Sequence, residues 1–109
     1  MSQQKSYTIL LSKRSRIHVR FSRKKTKVLD FAVNFEILYP KKWHPVIRYD
    51  TAHQGSEKQR WKFPHKHTFY RDGKETLVFL RTKDKNLALT LAIQDIRENF
   101  KRIKGKFFN

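Results

Sequence analysis

Arg16-Ile17-His18-Val19-Arg20-Phe21-Ser22 and Val28-Leu29-Asp30-Phe31-Ala32-Val33-Asn34-Phe35-Glu36-Ile37-Leu38 both alternate with a period of two. In the first, Ile17, Val19 and Phe21 fall on one side and Arg16, His18, Arg20 and Ser22 on the other. In the second, Phe31, Val33, Phe35 and Ile37 are opposed by Asp30, Ala32, Asn34 and Glu36. Successive side chains of a strand point to opposite faces, so each stretch reads as a half-buried strand. The basic run Arg23-Lys24-Lys25-Thr26-Lys27 joins them, which predicts a long hairpin with a cationic tip.

Working outward, residues 1–15 are polar and basic around the short apolar run Tyr7–Leu11 and are read as a basic N-terminal arm or an edge strand. Tyr39-Pro40-Lys41-Lys42 should turn the chain into a third strand over roughly Trp43–Tyr49, with Pro45 placing that strand late or at an edge because proline gives no donor to a ladder. Thr51 to Pro64 shows no period and is read as a basic loop at 51–64. Lys66–Tyr70 and Glu75–Leu80 flank Arg71-Asp72-Gly73-Lys74, whose Asp-Gly pair predicts a second hairpin closed by a two-residue turn. After Arg81 the period becomes helical: Leu89, Ala92, Ile93, Ile96, Phe100 and Ile103 form one stripe. Asp84 or Asn86 is the expected N-cap, and Gly105 the expected stop after Lys101, Arg102 and Lys104. The expectation is an α+β fold, a single antiparallel sheet of about four to five strands packed by one C-terminal helix, with residues 16–109 as a single domain.

The chain has 109 residues, a length that suits one modest core. Lysine and arginine number 26 against nine acids, a formal net charge of +17 and a sequence pI near 10.6. Such an imbalance points to a polyanionic partner, with nucleic acid first because each neutralised phosphate releases condensed counterions. There is no cysteine, which excludes disulfide scaffolds and thiolate metal sites and agrees with a cytoplasmic protein. No apolar run reaches membrane-spanning length, so no membrane partner is expected. Arg23, Lys24, Lys25, Lys27, Lys58, Arg60, Lys62 and Lys66 are the candidate phosphate contacts, with Trp61 as the leading candidate for stacking on an unpaired base.

Arg48, Asp50, His53, His65 and His67 gather three of the five histidines and an acid within twenty residues. Histidine exchanges protons near neutrality. On strands, His65 and His67 share one face and Arg48 and Asp50 another, so pairing of those strands would bring all four together. RNA cleavage without a metal needs a base for the 2′-hydroxyl, an acid for the leaving 5′-oxygen and a cation for the phosphorane. His53 with His65 or His67 fits the first two roles, Arg48 or Lys66 the third, and Asp50 would orient an imidazole. The same residues are acceptable ligands for zinc, but the density of lysine and arginine nearby argues against a held cation, so neither a metal nor any other cofactor is expected. A non-catalytic nucleic-acid-binding module, ribosome-associated or DNA-binding, with incidental histidines is the alternative.

The run Val46-Ile47-Arg48-Tyr49-Asp50-Thr51-Ala52-His53 followed by His65-Lys66-His67 resembles small prokaryotic proteins with an Arg-Tyr-Asp-x-Ala-His and His-x-His signature, which look like TumE-like toxins of toxin–antitoxin pairs. The resemblance covers roughly residues 28–104, and its specific part is about ten residues long. This chain departs from the pattern in its longer basic insert, Gln54–Pro64. The resemblance implies a cytoplasmic toxin acting on RNA, with an acidic antitoxin as protein partner.

Overall fold

A computed structural model of the chain describes residues 2–51 and 63–108. Six strands, β1 (Gln3–Ser12), β2 (Ser15–Lys24), β3 (Lys27–Leu38), β4 (Trp43–Asp50), β5 (His65–Phe69) and β6 (Glu75–Phe79), are followed by one helix, α1 (Lys85–Phe108). All six lie in a single antiparallel sheet in the order β1-β2-β3-β4-β5-β6. The fold is therefore α+β with a C-terminal helix, and the sheet has six strands where four to five were expected. The additional strand is β1, which pairs with β2 from Gln3 opposite Arg23 to Ser12 opposite Ser15. Its residues are mostly exposed and only Ile9 and Leu11 pack against the core, so its two-residue contrast spans too few positions to announce a strand.

The predicted first hairpin is present: Lys24 faces Lys27 across the turn, and Lys25 takes a left-handed conformation at φ 57°. Pro45 sits inside an interior strand, contrary to expectation. Only Ile47–Asp50 pair with β5, and on the β3 side Pro45 faces Glu36 beside a register shift, so its missing donor falls where the ladder is already interrupted. The β5–β6 connection is longer than the expected two-residue turn. Gly73 N donates to Tyr70 O at 3.0 Å, Tyr70 N to Lys74 O at 2.9 Å, and Gly73 alone of the turn has positive φ, at 89°. That is the three-residue hairpin loop in which a glycine follows a type I turn.

Ile17, Val19, Phe31, Val33, Phe35, Ile37, Ile47 and Tyr49 project from one face of the sheet onto Ala88, Ala92, Ile96, Ile103 and Phe107 of α1. Asp84 caps the helix, its Oδ1 accepting Leu87 N at 3.1 Å. Asn86 ties the helix start to the first hairpin, accepting Val28 N at 2.9 Å and donating to Thr26 O at 2.8 Å. Gly105 does not end the helix, which runs on to Phe108. Phe107 is buried in the core, and Phe108 lies 4.9 Å from the Tyr39 ring and accepts Arg71 Nη1 at 3.3 Å. Burying a phenylalanine contributes about 1.5–3 kcal/mol, more than the ~1 kcal/mol that glycine costs a helix interior.

On the covered side Tyr49 donates to Asp95 Oδ2 at 2.5 Å, and Lys66 Nζ stands 3.6 Å from the same oxygen. Burial first, then the hydrogen bond and charge of Asp95, push the Tyr49 phenol well above its ordinary value of about 10. A raised folded-state value means that the folded chain holds the proton more tightly, so this stabilisation is complete below pH ~10 and is lost as the pH rises past it. Urea unfolding at about pH 9 and pH 11 should show a steeper loss of stability in the wild-type chain than in Tyr49→Phe; equal slopes would remove the effect.

Candidate functional site

The face of the sheet away from α1 carries two rows of side chains that run across the strands. One row holds Ser6, Arg20, Ala32, Asp50, His65 and Phe79; the next holds Thr8, His18, Asn34, Arg48, His67 and Leu77. The two-residue period of β4 and β5 and their register make Asp50 the direct partner of His65 and Arg48 that of His67. Four of the five candidate catalytic residues thus share one face. The fifth, His53, and the candidates Lys58, Arg60, Trp61 and Lys62 lie outside the described residues.

Asp50 stands between the two imidazoles. His65 Nε2 contacts Asp50 Oδ1, and His67 Nε2 lies 3.8 Å from the same oxygen. The other nitrogens face other acceptors: His65 Nδ1 is 3.3 Å from Phe63 O, and His67 Nδ1 is 3.4 Å from Glu75 Oε1. The rings meet edge to face at 5.2 Å, and Phe79 and Phe69 flank them at 5.8 and 6.2 Å. His65 is fully buried and Asp50 is 8% exposed, whereas the His67 side chain keeps 15% of its surface. Of the two imidazoles beside Asp50, His67 is therefore the one a solute can reach.

Arg48 is exposed, its Nε donating to Asn34 Oδ1 at 2.8 Å and its guanidinium carbon 5.8 Å from the centre of the Phe69 ring. Exposed His18 and Arg20 extend the basic band across β2, with His18 Nδ1 3.0 Å from Thr8 Oγ1. Lys66 is not part of this group. It points to the α1 side, toward Asp95 and the Tyr49 ring, because strand alternation separates it from both neighbouring histidines. Lys24, Lys25 and Lys27 are exposed at the hairpin tip, and Arg23 donates to Gln3 Oε1 at 3.4 Å.

Glu75 and Asn34 were not among the sequence candidates. Glu75 could have been found by carrying the second hairpin's register one step further, since Phe69 opposite Glu75 places that carboxylate diagonally across from His67. Asn34 follows from the alternation of β3 in the same way. Among the described residues no helix is long and apolar enough to cross a membrane.

A six-stranded meander backed by one helix, with a carboxylate–imidazole cluster on its helix-free face, defines a small basic α+β protein with a polar site on the sheet. The chain belongs to the family described as Domain of unknown function (DUF7718), which matches residues 1–109. No curated protein and no solved structure matches it.

Proposed function

We propose that this protein is an RNA-directed toxin of a toxin–antitoxin pair, an endoribonuclease whose reaction centre is the Asp50–His65–His67 cluster. The observation that supports this most is the placement of partly exposed His67 directly beside exposed Arg48, on the face that also carries Arg20 and His18. Arg48 offers forked donors to phosphate oxygens. His67 is placed to take the 2′-hydroxyl proton, after which the 2′-oxygen attacks phosphorus and the 5′-oxygen leaves with a proton from His53, the other histidine read for these two roles. Asp50, wedged against both rings, fixes their orientation. The charge of +17 supplies the attraction for RNA and equally for an acidic antitoxin in the cytoplasm.

The test is cleavage of a synthetic single-stranded RNA, read on a gel beside a binding titration. His67→Gln is expected to slow cleavage about a hundredfold or more while leaving RNA affinity within about twofold. Equal cleavage by the variant, or none by the wild-type chain, would remove the enzymatic reading and leave a non-catalytic binding module.

A further inference from the structure

We propose that Asp50, His65 and His67 form a site for one divalent transition-metal ion of the zinc class, held by both imidazole Nε2 atoms and an Asp50 carboxylate oxygen. This does not depend on the RNA reading, and it gives His67 a ligand's role in place of the proton-accepting one. One ligand atom from each residue lies within 4.8 Å of the others, and the set is buried or nearly so. Ligands around a tetrahedral zinc bound at ~2.0–2.1 Å sit about 3.4 Å apart. His67 Nε2, at 3.8 Å from Asp50 Oδ1, needs to close by about half an ångström, and His65 Nε2, which touches that oxygen, has to draw back by about an ångström to make room for an ion.

Behind each ring stands an acceptor of the kind that orients a metal-bound imidazole, within hydrogen-bond distance for His65 and at ion-pair distance for His67. An imidazole ligand is held in one tautomer when its other nitrogen donates to a carbonyl or carboxylate. His65 Nδ1 has the Phe63 carbonyl at 3.3 Å, and His67 Nδ1 has the Glu75 carboxylate at 3.4 Å, so both Nε2 atoms are turned toward Asp50 with their reverse sides occupied.

Among the described residues, the cations nearest in sequence are turned away from the three ligand atoms, although Arg48 is the cross-strand partner of His67. Lys66 is on the other side of the sheet beside Asp95, and Arg48 is turned to Asn34 and Phe69. Two carboxylates, Asp50 and Glu75, remain next to the two rings. With three protein ligands a tetrahedral ion keeps one position for water, and such an ion acts as a Lewis acid that lowers the pKa of that water. His67 would then be a ligand instead of a proton carrier.

The experiment uses the full chain without RNA, stripped with chelator, dialysed, and titrated with Zn(II) by calorimetry and with Co(II) by visible absorption. We expect one equivalent of either ion and no uptake of Mg(II), which prefers oxygen ligands. Asp50→Asn and His67→Gln should each weaken zinc binding at least a hundredfold, and Glu75→Gln about 10–100-fold through the outer contact. His18→Gln, three strands from His67 along the same row, should bind as the wild type does. Melting curves in chelator confirm that the variants fold. His67→Gln, at a partly exposed position, keeps the test valid even if Asp50→Asn does not. Less than one equivalent in the wild-type chain, or uptake unchanged in the folded variants, overturns the site. Zinc uptake without RNA cleavage would leave this inference standing and remove the nuclease reading; chelator-resistant cleavage with no zinc uptake would do the reverse.

Discussion

Phe35→Ala should lower the free energy of unfolding by about 3–5 kcal/mol, the range for emptying a fully buried aromatic site. Phe35 is 0% exposed, lies mid-strand in β3 between Ile17 and Ile47, and faces the helix. A small domain has a total of roughly 5–15 kcal/mol, so this one change removes a large fraction of the margin and moves the urea midpoint sharply down. Leu10→Ala is the control, because Leu10 is 75% exposed on β1 and its loss should stay within about 0.5 kcal/mol. A Phe35→Ala loss below about 1 kcal/mol would mean that the helix does not seal the sheet over β3.

RNA affinity should fall by a factor of about 10³–10⁵ between 50 and 200 mM salt, as for a protein that neutralises roughly 6–10 phosphates. The charge of +17 provides more than enough cations, and those free to act are distinguishable by position. Lys24, Lys25 and Lys27 stand exposed at the hairpin tip, so replacing all three with glutamine should reduce the slope of log affinity against log salt by up to about 3. Lys66→Gln should leave the slope unchanged, since Lys66 is held near Asp95 on the covered side. A gel-shift titration in several salts measures both, and a flat dependence in the wild-type chain would exclude binding through phosphates.

What could be read from the chain beforehand follows from how each signal arises. The alternation of Ile17, Val19 and Phe21, and of Phe31 through Ile37, is strong because one face of β2 and β3 lies under the helix while the other does not. β1 is at the sheet edge and packs only Ile9 and Leu11 against the core, with exposed Leu10 between them, so its contrast is short and blurred. The helix end was misplaced because Gly105 is a local stop signal, whereas the burial of Phe107 is a long-range fact. The meeting of Asp50 with His65 and His67 was legible from two-residue spacing once the strands pair, and the same logic separates Lys66 from them. Glu75 was missed because its placement needs the register of β5 on β6 as well, which the Asp72-Gly73 turn does not set without its loop length.

The strictly sequential order of the strands has a consequence for how the chain is made. Each strand from β2 to β6 pairs with the one immediately before it, and apart from the longer β4–β5 connection every pairing closes a short loop and loses little chain entropy. Among the described elements the helix is what packs over Phe31, Val33, Phe35 and Ile37, and it follows all six strands. During synthesis the growing chain therefore passes through a one-sided sheet with its oily surface bare, a stage at which a ribosome-bound chaperone has a ready substrate until α1 emerges and docks.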